Sequence, residues 1–185
     1  MEGLSGSIEV KLVLLLVRTV KPSDFDDIVE VYFSFFPEAA ADPSFGLSLY
    51  RELPSMEEEK KWFEGALKAV EERNLLMLVA EVDSHVVGWC EVRRKTPGSP
   101  TDHRGTVGVC VKKGYRGEGV GTALLKAAIE ESRGKFEALE LAVLKNNKKA
   151  IDLYRRLGFK SYGTLPKAVK RAGKYFQDEL MYFEL

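Results

Sequence analysis

Cysteine and carboxamide side chains are scarce in this chain: its 185 residues hold two cysteines, Cys90 and Cys110, one glutamine, Gln177, and three asparagines. Both cysteines fall in apolar, strand-like segments and in no metal-ligand spacing. A disulfide framework and a metal cluster are therefore excluded, and buried free thiols in a reducing interior are expected. Net charge is also absent, with 28 Lys plus Arg against 28 Asp plus Glu. This balance offers neither a nucleic-acid footprint nor an acidic tail, and the basic runs at Lys145, Lys148, Lys149 and 167–174 read as solvated faces. Nor is there an apolar run able to span a bilayer, because Val10 to Val20 is interrupted by Lys11 and Arg18 and lacks a signal-peptide cleavage pattern. A cytoplasmic protein without membrane contact is expected. The few amides, set against a charged fraction of 30%, lean towards a heat-tolerant composition.

What is present is enough for one ordinary domain, able to bury roughly 70% of its unfolded surface. Residues 1–10 read as a leader and 11–185 as the domain, without repeats or low-complexity segments. A strand over 12–20 ends at Pro22. Ser23 is placed to cap a helix with Asp24, Asp26 and Asp27 in its first turn and Ile28, Val31, Tyr32 and Phe35 inward. Pro37, Pro43, Gly46 and Pro54 make 36–54 an irregular loop or short helical piece. Ser55-x-x-Glu58 is a capping box opening a second helix, with Trp62, Phe63, Ala66, Leu67 and Val70 inward. Strands follow at 75–82, 86–94 and 104–112, then a helix at 119–133, a strand at 137–144, a helix at 147–157, and strands at 159–165 and 174–183.

The stretch 109–122 carries the most chemistry. The β-branched run Val109, Cys110, Val111 leads into a turn dense in glycine, which opens directly onto an amphipathic helix. Gly117, Gly119 and Gly121 leave backbone N–H groups open to an anion, and the helix start adds partial positive charge. Arg116, Lys112 and Lys113 can add full charge. The bland alternative is a turn that merely lets a helix pack tightly on a strand. A P-loop is ruled out because no lysine follows Gly121, and the dinucleotide fingerprint fails because Thr122 and Leu124 stand where a third glycine is required. A nucleotide-binding module therefore ranks third among the readings.

The spacing Arg116-x-x-Gly119-x-Gly121 resembles the loop that cradles the coenzyme A pyrophosphate in the GNAT superfamily of N-acetyltransferases. Downstream, Asn147-x-x-Ala150-Ile151-Asp152-Leu153-Tyr154-x-x-Leu157-Gly158-Phe159 is similar to that superfamily's second block. Taken singly, Ala150, Ile151 and Tyr154 could be only a core stripe, with Gly158 stopping the helix. The resemblance covers nearly the whole chain. It implies an α/β (α+β) fold with a mixed, mostly antiparallel sheet of about seven strands, a splayed parallel pair, and four helices on both faces. It further implies acetyl-CoA as cofactor, with contacts from Val109, Cys110, Val111, Arg116, Gly117, Glu118, Gly119, Val120, Gly121, Thr122, Asn147, Ala150 and Tyr154.

The implied reaction is direct acetyl transfer to a primary amine, of a small molecule or of a protein N-terminus or lysine, without a metal. An alkyl ammonium of pKa about 10 must first lose a proton. By resemblance Tyr154 is the acid beside the sulfur and Asn147 a cofactor contact. Relatives that carry a glutamate twelve residues before the tyrosine differ from this chain, which has Ala142. Counting back from the loop lands on His103, whose ordinary pKa of about 6.5 suits a base; its competing role is that of a loop residue beside Asp102. Glu91 is either a solvent-facing charge or a base acting through water. The closing stretch 173–181 is similar to that of members acting on amines, with Tyr175 and Met181 inward, and Tyr32, Phe35, Phe36, Glu38 and Tyr175 are candidates to touch the acceptor. The chain leaves monomer and homodimer both open, and a non-catalytic acyl-CoA-binding regulatory domain is the alternative to an enzyme.

Overall fold

The computed structural model describes residues 14–47, 49–50 and 52–185. The expected leader, residue 11 and residues 12–13 of the expected first strand lie outside the described residues. The elements follow in the order β1 (Leu15–Thr19), α1 (Phe25–Phe33), α2 (Phe35–Ala41), α3 (Met56–Glu71), β2 (Leu75–Val82), β3 (His85–Arg94), β4 (Arg104–Val111), α4 (Val120–Ser132), β5 (Ala138–Leu144), α5 (Lys148–Arg156), β6 (Lys160–Arg171) and β7 (Lys174–Glu184). They form a seven-stranded sheet in the order β1-β2-β3-β4-β5-β7-β6. Only β4 and β5 run parallel, and their pairing ends after three residue pairs, Arg104–Ala138 to Thr106–Glu140. No helix among the described residues is long and apolar enough to cross a membrane.

Each face of the sheet holds one apolar layer. On one face α4 and α5 bury Leu124, Leu125, Ala128, Ile151 and Tyr154 against Val92, Leu139 and Met181. On the other, α1, α2 and α3 bury Ile28, Val31, Phe35, Phe63 and Ala66 against Met77, Val79, Trp89 and Cys110. Each large side chain so buried contributes about 2 kcal/mol. Cys90 and Cys110 are both buried and free. Burial pushes both thiols well above their ordinary range, so they pack as small apolar groups.

Four helices match the expectation, and α2 is the short helical piece that is one of the two readings of 36–54. Pro37 falls in its first turn, where a missing N–H breaks no helical bond. Ser23 does not cap α1. The chain makes a 3₁₀ turn over Pro22–Asp24, and the buried Asp24 carboxylate accepts from the Lys21 amide at 2.7 Å and from both terminal nitrogens of Arg18 at 2.8 Å. Trp62, expected inward, is exposed. The last hairpin is longer than expected because β6 continues through two irregularities to Arg171. Met181 is buried as expected, but Tyr175 is 54% exposed, with the ammonium groups of Lys167 and Lys170 at 5.3 and 5.1 Å from its ring.

Candidate active site

The ladder register fixes which backbone groups of β4 are free. The Lys112 amide donates to the Val87 carbonyl at 2.8 Å and the Lys95 amide to the Arg104 carbonyl at 3.0 Å. By antiparallel alternation the even-numbered residues of β4, Cys110 among them, bond to β3, while Val109 and Val111 turn their N–H and C=O groups towards β5. Since β5 has already diverged, these groups have no strand partner. Cys110 therefore differs from the expectation: its backbone belongs to the ladder, and its neighbours face the gap. The Val111 carbonyl is taken by Arg116 Nε at 2.6 Å.

At the far end of β4 the turn is shaped by Gly117 and Gly119, which adopt φ of +87° and +86°. A side chain there would be strained by about 1–2 kcal/mol. Gly119 is the N-cap of α4 and supplies no side-chain cap, and no acidic residue occupies the first turn. The amides of Val120, Gly121 and Thr122 thus point out of an uncapped helix start, a ready anion site. Glu118 is solvent-exposed beside them. Gly121 brings α4 close, since a Cβ there would stand 3.7 Å from Val111 and 3.8 Å from Leu153. The unpartnered strand groups and the uncapped amides together fit a diphosphate with an extended amide tether, which is the chemistry expected of coenzyme A.

The expected cationic help is largely committed elsewhere. Arg116 makes a bidentate ion pair with Glu38 of α2 and lies over the rings of Phe35 and Phe45 at 5.5 and 5.6 Å. Lys112 pairs with Glu30. Any phosphate on this turn is therefore held chiefly by main-chain amides.

Helix α5 brings the second block to the gap. Asn147 caps it, accepting from the Ala150 amide at 3.2 Å. Its side-chain amide lies against Gly46, where a Cβ would approach to 2.4 Å. The helix closes with Gly158 left-handed at φ +100°, the Phe159 amide bonding to the Tyr154 carbonyl and the Gly158 amide to that of Arg155, a Schellman stop. This stop fixes the phase of Tyr154, which packs in the layer that Val109 and Val111 flank. The Tyr154 hydroxyl makes no hydrogen bond to a described residue. Burial raises its pKa, with the Cys90 and Cys110 thiols adding to the shift, so the phenol stays protonated at neutral pH.

Of the two candidate bases, the structure brings only Glu91 near this gap. Glu91 faces Gly108 across the β3–β4 ladder, one residue from Val109. His103 sits before β4 begins, its carbonyl accepting from the Glu137 amide at 2.9 Å. Seven residues of strand, about 23 Å, separate it from Cys110. Ala142 is exposed on β5 opposite Leu180.

Glu91 lines a groove of about 880 Å³, which also takes Tyr32, Tyr50, Trp62 and Trp89, with Glu52, Glu58 and Glu59 contributing acid. Burial raises the Tyr32 phenol, and the Tyr50 backbone amide acts against that shift; Glu59 and Cys110 are near enough to reinforce it. Of the other acceptor candidates, Phe35 is fully buried, Glu38 is tied to Arg116, and Phe36 lines a second cavity reaching the β6–β7 hairpin. Tyr175 lines neither cavity. Glu59, absent from the expected residues, is the acid that burial singles out.

A sequence profile described as the acetyltransferase (GNAT) family matches residues 26–159. The protein named uncharacterized N-acetyltransferase MJ1207, from Methanocaldococcus jannaschii, is 31% identical over 151 residues, covering 77% of this chain and 59% of that one. The chain matches about three fifths of the length of the first curated relatives. The crystal structure of a ribosomal-protein-alanine N-acetyltransferase from Brucella melitensis superposes with a TM-score of 0.77 at 26% identity, over 92% of this chain and 99% of that one. That of yncA, a putative acetyltransferase from Salmonella typhimurium with its cofactor acetyl-CoA, gives 0.79 at 19% identity, over 93% and 94%, and so shows the fold. With the profile spanning most of the described residues, the splayed pair and the glycine turn take their place in a known architecture: the chain belongs to the acetyltransferase (GNAT) family.

Proposed function

We propose that this chain is an N-acetyltransferase that uses acetyl-CoA and passes the acetyl group directly to a primary amine seated in the acidic groove. The observation that carries the reading is the gap between β4 and β5. Its unpartnered backbone groups, those of Val109 and the N–H of Val111, run from an uncapped helix start to the neighbourhood of a buried, protonated tyrosine. Acetyl-CoA supplies an activated acyl carbon and a sulfur leaving group.

The chain's own residues do the rest. Main-chain amides of residues 117–122 hold the diphosphate, and Val109 and the Val111 N–H align the tether. Glu91 accepts, directly or through water, the proton that the ammonium must lose before its nitrogen can attack the acyl carbon. Tyr154 Oη gives its proton to the sulfur as the carbon–sulfur bond breaks, and the phenolate regains one from the nitrogen, which sheds its second proton on becoming an amide. Asn147 fixes α5, and through it the tyrosine, by capping the helix.

Names borne by relatives include an L-amino acid N-acetyltransferase of Escherichia coli and the ribosomal-protein-alanine enzyme above. Both amino acids and protein N-termini therefore stand within the acceptor class. The continuous sheet from Leu15 to Glu184 supports a single domain over 11–185, and the buried free thiols support a cytoplasmic setting. One observation favours a non-catalytic acyl-CoA-binding domain instead, namely Ala142 in place of a carboxylate. Thiol release from acetyl-CoA mixed with an amine library separates the two readings. Amine-dependent release is the expected result; coenzyme A binding without release would overturn catalysis.

A further inference from the structure

Three acidic residues open α3, and their partners differ. Glu57 pairs with Lys61, and Glu58 closes the capping box by accepting from the Ser55 amide and hydroxyl. Glu59 does neither. It is 5% exposed and lines the groove, yet its carboxylate has no hydrogen-bond or ionic partner among the described residues. A carboxylate on a buried residue, with no partner among the described residues, costs free energy that surface acids do not incur. Burial, with the like charge of Glu58 adding, raises its pKa accordingly. No described lining residue of the groove is a lysine or arginine. Beside Glu59 stand Tyr32, Trp62 and Trp89, and aromatic faces attract an organic cation as carboxylates do. The 37% exposure of Trp62, unusual for a large ring, then has a use at the lip of a cation site.

We infer that the acceptor carries a second ammonium group, distinct from the amine that is acetylated, and that this group seats at Glu59 while the reacting amine lies at Glu91. Two carboxylates on different elements, one on the strand floor and one on α3, line a single cavity, so one dication can satisfy both. The substrate class is a dicationic amine, either a free diamine or a polypeptide amine with a neighbouring lysine. This inference rests on the acetyl-transfer reading of the same cleft.

The test measures kcat and KM with acetyl-CoA for linear α,ω-diaminoalkanes, for monoamines of equal length and for ω-amino acids. A free second cation is expected to raise kcat/KM about tenfold or more over the monoamine, and a terminal carboxylate to lower it. Glu59→Gln, which keeps shape and removes charge, is expected to bring the diamine-to-monoamine ratio to about one, chiefly through KM. A merely structural role would lower both substrates together and leave the ratio intact, which would overturn the inference, as would a monoamine that matches the diamine in the unaltered protein. A lysine-bearing dipeptide that exceeds the diamine, with the same dependence on Glu59, supports the inference and assigns the second cation to a polypeptide. Calorimetric titration of the diamine into protein with coenzyme A reads the site without turnover. Glu59-dependent binding with no acetylation keeps the inference and discards the reaction, whereas absence of binding discards the inference.

Discussion

Arg116 and Glu38 are joined by two parallel hydrogen bonds, 2.7 Å from Nη1 to Oε2 and 2.8 Å from Nη2 to Oε1. The first residue of the glycine turn is thereby fastened to α2, on the face of the sheet where the acidic groove lies. Arg116 is 38% exposed, so solvent screening limits the pair to about 1 kcal/mol. Glu38→Gln is therefore expected to lower Tm by about 2–4 °C. On the reading that main-chain amides hold the phosphate, it should raise the acceptor KM without weakening coenzyme A binding. Calorimetry and steady-state kinetics check the two effects separately.

Gly119→Ala tests the turn itself. With φ at +86° and open space around the missing Cβ, the substitution meets no clash, so its whole cost is backbone strain of about 1–2 kcal/mol. If the strain is relieved by shifting the amides of Val120 and Gly121, coenzyme A affinity falls about tenfold. Isothermal titration measures it, and unaltered affinity would show that these amides are not the grip.

Tyr154→Phe is expected to lower kcat about 100-fold while the coenzyme A dissociation constant stays within about twofold. The ring remains, packing against Phe159 at 5.8 Å, so stability should change little. Because burial raises the hydroxyl pKa, Tyr154 keeps its proton through the neutral range. The kcat profile of the unaltered enzyme should therefore show no alkaline limb from this group below about pH 10.

Asp24 sets an acid limit on stability. Burial alone would push its carboxyl up, but the hydrogen bonds from Arg18 and the Lys21 amide outweigh it and hold the pKa below the ordinary value. A depressed carboxyl contributes stability above its unfolded pKa, about 3.9, and loses that contribution as pH falls through the folded value. Unfolding free energy should thus decline below about pH 4, and Asp24→Asn should flatten that decline while costing about 3 kcal/mol at neutral pH. Urea titrations across the acid range provide the measurement.

Much of the site was legible because local chemistry dictates it. The glycines of the turn, the Ser55–Glu58 box and the Gly158 stop act within a few residues, so spacing alone placed them. Groups whose partners are distant in sequence were less readable. Arg116 looked like a phosphate ligand, and nothing nearby announced Glu38, seventy-eight residues earlier. Asp24 resembled a residue suited to the helix dipole until Arg18 folded back upon it. His103 came from counting along a strand, which carries no information about which end faces the gap. Glu59 was missed within a run of three glutamates that reads as a solvated first turn. The signal was present nonetheless: once the capping box sets the phase of α3, Glu59 shares a face with Phe63 and Ala66 at spacings of four and seven.

The three facing pairs that close β4 against β5 make the sheet a book bound only at one end of its spine. A ligand that bonds to the free groups of Val109 and the Val111 N–H would extend the pairing beyond those three pairs, so occupancy is expected to stiffen the seam. On the proposed reading the cofactor is mortar as well as reagent, and its departure after each cycle would loosen the seam it had joined.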